Sequence, residues 1–169
     1  MKISRSVFVG LLAALSVVLA AVENCIPMPV PAVRLGLSNI PIMAALYLTN
    51  VKTAFAVLML KVFLVPIFSG NFIFRLSIGL PSGMIAFIAM FLTMRIMGKK
   101  VSAISVSTVG AFFHMLIQLV VADILYIKGI FYSNITGVLL LIATVSGVIT
   151  GLITIKITEH PSIKRIFCL

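Results

Sequence analysis

The sequence predicts an all-α polytopic membrane protein of six transmembrane helices, and three observations carry that prediction. Of 169 residues, 62% are hydrophobic and only 9% charged, whereas a soluble domain carries about 25% charged residues. Six apolar stretches can be read along the chain, joined by short polar connections. No alternation of period two is sustained, so a β-barrel is not expected. With a mean hydropathy of +1.31, three acids and thirteen bases cannot cover a water-facing surface. Six helices of about 20 residues use roughly 120 residues. The chain is therefore read as one integral membrane domain over residues 1–169, with no room for a soluble one.

The first stretch runs over residues 7–22 and ends at Glu23 and Asn24. Its basic start (Lys2, Arg5) and the Val18-Leu19-Ala20 run also spell a signal peptide, but it is read as an uncleaved helix. Pro27, Pro29 and Pro31 then interrupt the chain, because each removes a backbone donor and restricts the preceding residue. The segment reads either as a stiff lid or as a plain connector. The second stretch, 35–49, is the weakest: fifteen residues give about 22 Å, short of a roughly 30 Å hydrocarbon core. The remaining stretches are 53–68, 72–94, 101–126 and 134–155.

Charge placement decides whether the second stretch crosses, because Lys and Arg favour the cytoplasmic side. With six spans and both termini cytoplasmic, nine of the thirteen bases lie inside: Lys2, Arg5, Lys52, Arg95, Lys99, Lys100, Lys156, Lys164 and Arg165. Without it only Lys2, Arg5, Arg75 and Lys128 would. Six spans are expected, with the second short, bent or partly sunk. The same topology explains a formal charge of +10 without nucleic acid. The partner it requires is a lipid bilayer. Cys25 and Cys168 fall on opposite sides and cannot bridge.

The acids limit the chemistry. Glu23, Asp123 and Glu159 are the only three, so no aspartate-rich motif and no carboxylate cage for a divalent cation can form. No phosphate-binding loop is present: Gly98-Lys99-Lys100-Val101 lacks the earlier glycine and the hydroxyl. The chain is not expected to hydrolyse ATP, to hold a metal or cofactor, or to be an enzyme by itself.

Polar groups inside hydrocarbon are costly, about 2.5–3.5 kcal/mol for a central lysine. Lys61 sits in mid-helix, flanked by Leu60 and Val62. His114 and Gln118 are four residues apart, hence on one helix face, at a similar depth; Asp123 is nearer the outer end. Each can serve a ligand or bond structurally between helices. Glu23, Arg34, Asn39, Asn71 and Arg75 gather near the outer surface in this topology. Arg34 and Arg75 are the donors best suited to carboxylate or phosphate. With Lys61 they would form an outward-opening cavity favouring anions, partly neutralised by Glu23 and Asp123. The candidate ligand-binding set is Arg34, Asn39, Lys61, Arg75, His114 and Gln118.

Gly10, Ala13, Ala14, Val17, Ala20 and Ala21 recur at three- and four-residue spacings on the first helix. Such stripes let helices approach closely in membranes, here either within the bundle or against another subunit. Gly147 and Gly151 repeat the pattern on the sixth helix.

Two motifs carry a family resemblance. Arg34-Leu35-Gly36-Leu37-Ser38-Asn39-Ile40 resembles the basic-Leu-Gly-Leu-small-Asn-Ile signature of a bacterial membrane family. That family is labelled heptaprenyl diphosphate synthase component I, or Gx transporter. Gly110-Ala111-Phe112-Phe113-His114-Met115-Leu116-Ile117-Gln118-Leu119 resembles its fifth-helix motif, with Met115 and Ile117 standing where the family has Asn and Gly. The family is similar to the substrate-binding S components of energy-coupling-factor (ECF) vitamin transporters. The resemblance implies a bacterial plasma-membrane protein of six helices with cytoplasmic termini and a ligand site near the outer side. It also implies a transmembrane coupling subunit and two ATPase subunits as partners. Gly10, Ala13, Ala14, Val17 and Ala20 would match the stripe that docks the coupling subunit. A vitamin, a quinone precursor or an isoprenoid-related compound would suit such a cavity. The alternative is a non-catalytic membrane subunit of a heptaprenyl diphosphate synthase in quinone biosynthesis. Catalysis itself is excluded there, since prenyl elongation resembles a reaction needing two aspartate-rich motifs and Asp123 is the only aspartate. A third reading is a proton-coupled carrier with His114 and Asp123 as relay groups.

Overall fold

The computed structural model describes residues 5–25, 34, 36–98, 101–126, 128–129 and 134–160. The proline-rich segment 27–31, Leu35, Lys99, Lys100 and Cys168 lie outside them. Among the described residues there are six α-helices and no strand. They are α1 (Arg5–Asn24), α2 (Ile40–Leu48), α3 (Val51–Ser69), α4 (Phe72–Met97), α5 (Ala103–Leu125) and α6 (Asn134–Glu159). A single 3-10 turn, Leu37–Asn39, leads into α2. The six expected stretches are all present. Helices α1, α3, α4 and α6 extend by three or four residues in all, while α2 and α5 are shorter; polar caps set the starts of α3 and α5. Asn50 caps α3 by accepting from the Thr53 N–H at 3.0 Å, and Ser102 caps α5 by accepting from the Ile104 N–H at 3.2 Å.

Five helices are long and apolar enough to cross a membrane. The sixth, α2, has nine residues, about 14 Å of helix. The chain nevertheless returns across the bundle at this point. The Asn24 side-chain amide donates to Ser69 Oγ at 3.1 Å, joining the C-terminal ends of α1 and α3. These two helices therefore run in the same direction, and the segment between them must travel back. Eight of the nine α2 residues are buried, so this short helix is a core element surrounded by protein. Pro41 sits in its first turn, where a missing N–H costs nothing.

The core is a cluster of Ile42, Met43, Val57, Leu58, Phe87, Met90 and Val106 from α2 to α5. The tightest helix pair is α5 with α6. A Cβ on Gly147 would lie 2.7 Å from Thr108 Cα, and one on Gly151 2.5 Å from Ile104 Cα, so only glycine permits that backbone approach. Ser107 and Thr150 hydroxyls share a hydrogen bond of 2.6 Å beside it. Large apolar side chains point outward, among them Leu11 and Val18 of α1 and Leu141 and Val145 of α6, as expected of surfaces solvated by lipid. Pro66 and Pro81 lie inside α3 and α4; neighbouring helices make such interruptions tolerable in membranes.

The small-residue stripe of α1 is divided. Ala13 and Ala20 are buried within the chain, Gly10 and Ala14 are exposed, and Val17 lies between. The inward face is Ala13, Ser16, Ala20 and Glu23, so two polar residues belong to the packing seam.

Candidate functional site

The end of the bundle where α1, α3 and α5 finish and α4 begins holds a polar cluster built on one turn. Gly36 adopts φ 94°, ψ 15°, a left-handed conformation that a side chain would strain. This reversal delivers the Leu37 N–H and the Ser38 hydroxyl to the buried carboxylate of Glu23. Leu37 N–H donates to one carboxylate oxygen, and Ser38 Oγ donates to the other at 2.9 Å. Glu23 thus fixes the turn to α1, besides tempering the charge of Arg34 and Lys61 as expected. The next residue, Asn39, accepts from Lys61 Nζ at 2.5 Å. On the other side of the turn, the Arg34 backbone N–H donates to Gln118 Oε1 at 3.0 Å. Four helices are tied together through seven residues.

Between α3, α4 and α5 lies a cavity of about 500 Å³, its open mouth included. Five of the six candidate residues line it: Arg34, Lys61, Arg75, His114 and Gln118. Asn39 does not, but it holds the Lys61 ammonium, leaving donors for the cavity since an ammonium carries three. Lys61 is only 7% exposed and His114 6%. The apolar part of the wall is made by Leu58, Val62, Val65 and Pro66 of α3 with Gly79 and Gly83 of α4. Sequence reasoning missed Ser38 and this wall. Ser38 was legible as the small residue of the Arg34–Ile40 motif. The wall carried no signal, because apolar residues there match those facing lipid.

Three basic side chains line the cavity, and the carboxylate of Glu23 opposes the charge of Arg34 and Lys61. Its oxygens are occupied by the turn. Arg75 Nη1 donates to Asn24 Oδ1 at 3.1 Å, where the group is exposed. Arg34 is different: its Nη2 is buried and has no hydrogen-bond partner. Burial lowers its pKa to about 10, Arg75 pushes in the same direction and Glu23 opposes both. The guanidinium stays charged at neutral pH, desolvated and short of an acceptor. An incoming carboxylate or phosphate oxygen would satisfy it with a charge-assisted bond.

Asp123 does not line the cavity. It lies nine residues beyond His114, about 13 Å along α5, so the two are not brought together as a relay pair. Among the described residues, no three His, Cys, Asp or Glu side chains are grouped to hold a metal ion.

Fold and site together define a polytopic α-helical membrane protein with a cationic cavity at one end of its bundle. A family model described as heptaprenyl diphosphate synthase component I matches residues 12–157, and the chain belongs to that family. No curated protein and no solved structure gives a significant match.

Proposed function

We propose that this chain is the substrate-binding membrane subunit, an S component, of an ECF-type ATP-driven importer for a small anionic compound. The observation that carries the reading is the buried Arg34 Nη2 without an acceptor, in one cavity with Lys61 and Arg75. A desolvated donor left unmatched costs about 1–3 kcal/mol, more when charged, and a bound anion removes that cost. The charge bias supports the orientation. By position in the sequence Arg34, Arg75 and Lys128 belong to the cavity side, against Lys2, Arg5, Lys52, Arg95, Lys99, Lys100, Lys156, Lys164 and Arg165 on the other, which favours an outward-facing cavity with both termini cytoplasmic. A bacterial plasma membrane is the corresponding location. A vitamin, a quinone precursor or an isoprenoid-related compound bearing a carboxylate or phosphate suits the lining. With one aspartate and no phosphate-binding loop, the chain depends on a coupling membrane subunit and two ATPase subunits for energy.

The family description favours a second reading, a non-catalytic membrane subunit associated with heptaprenyl diphosphate synthase. Gentle purification of the tagged chain from its native membranes separates the two. Stoichiometric recovery of two ATPases with a membrane coupling subunit is the expected result. Recovery of a prenyl synthase without ATPases would replace the importer reading by the second one.

A further inference from the structure

Gly79 differs from the other glycines that face the interior. A Cβ added to Gly83, Gly110, Gly147 or Gly151 would meet a neighbouring helix at 3.2 Å or less, so each of these is a contact point between helices. At Gly79 a Cβ would meet nothing within 4 Å, although the residue lines the cavity. It sits inside α4, two residues before Pro81, where glycine is a poor choice compared with alanine, and neither a positive φ nor a close approach requires it there. What its missing side chain leaves is space. The cavity that this space belongs to is lined by the apolar Val62, Val65 and Pro66 as well as by the basic Arg34 and Lys61.

We propose that Gly79 is a ligand contact that sets the size of the apolar body the cavity admits, so that the ligand is an amphiphilic anion. Its head meets Arg34 and Lys61, and its hydrocarbon part lies on α4 at Gly79 against Val62 and Val65. This rests on the anion-binding reading above and adds the class of ligand. A purely polar anion would leave the wall of Val62, Val65 and Pro66 facing nothing but water. A long side chain at position 79 would start into that open space and take the place of the hydrocarbon part.

The test uses the full chain in lipid nanodiscs and two pairs of probes that differ only in hydrocarbon: inorganic phosphate with butyl phosphate, and acetate with hexanoate. Each methylene removed from water is worth about a fourfold gain in affinity. Wild-type protein should therefore bind the longer member of at least one pair at least tenfold more tightly. Gly79→Leu should abolish that preference and leave the short member within about twofold. Gly79→Ala, whose added carbon has open space, should reduce the preference severalfold and guards against a folding defect in the larger variant. If Gly79→Leu keeps the preference, or wild type shows none, the inference about Gly79 is overturned and the anion site stands. Failure of wild type to bind any of the four probes overturns both.

Discussion

Replacing Arg34 by methionine should stabilise the empty protein and abolish its response to anions. The lowering of the Arg34 pKa to about 10 corresponds to about 3 kcal/mol disfavouring the charged form. Because the folded value is depressed, the guanidinium is charged in both folded and unfolded chains below about pH 10. The cost is therefore fully present at neutral pH and is relieved only as pH rises through about 10. Methionine is apolar and of similar length, and replacing buried charge by apolar groups commonly stabilises by about 1–4 kcal/mol. A gain of about 1–3 kcal/mol is expected, raising the unfolding midpoint by roughly 3–8 °C for a chain of this size. The same change removes a charge-assisted hydrogen bond worth about 1.5–3 kcal/mol to a bound anion, a 10- to 100-fold loss of affinity. Thermal unfolding in nanodiscs, with and without inorganic phosphate or butyl phosphate, reads both effects. A lower midpoint with an unchanged anion increment would refute the reasoning, since Arg34 would then be a structural residue.

Other substitutions separate packing from binding. Asn39→Leu should lower stability by about 3 kcal/mol, more than Lys61→Met, because it strips the buried ammonium of its 2.5 Å partner; denaturant midpoints of the two variants compare them directly. Glu23→Gln should loosen the Gly36–Asn39 turn by about 1–3 kcal/mol yet tighten phosphate binding, since it removes the charge opposing Arg34 and Lys61; melting and titration calorimetry should move in opposite directions. Gly151→Ala should cost about 1–3 kcal/mol by placing a carbon 2.5 Å from Ile104 Cα. Gly10→Ala, with nothing within 4 Å, should not destabilise, and unfolding scans of both report the contrast.

The helices and most of the polar cluster were legible because a membrane penalises both errors of reading. Apolar runs have one explanation there, and a lysine or histidine inside such a run must be accounted for. Lys61, His114 and Gln118 announced themselves in this way, and all three line one cavity. Arg34 and Asn39 were flagged by their place after the prolines and in the motif that follows. Burial on α1 was not legible in the same manner. Gly10, Ala13, Ala14, Val17 and Ala20 look alike as small or apolar residues, but only the turn-by-turn rotation of the helix decides that Ala13 and Ala20 face inward with Ser16 and Glu23. The hold of Glu23 on the turn was hidden for a related reason, although its charge does oppose that of Arg34 and Lys61 as expected. Its partners, Leu37 N–H and Ser38, are fourteen and fifteen residues away, and only the left-handed Gly36 brings them round.

The shortness of α2 bears on how the protein is made. A helix of about 14 Å cannot hold itself across a hydrocarbon core of roughly 30 Å. Its flanking backbone needs hydrogen-bond partners that lipid does not supply. With eight of nine residues covered by other helices, α2 has almost no surface to offer acyl chains. It cannot leave the insertion machinery as an independent span. Its crossing must wait until α1 and α3 are both available, held together by Asn24 and Ser69, and the binding turn, fixed between α1 and α2, is completed only then. Biogenesis, not only affinity, is thus coupled to the Glu23 contact: a chain that fails to make it would leave both α2 and the anion site unassembled.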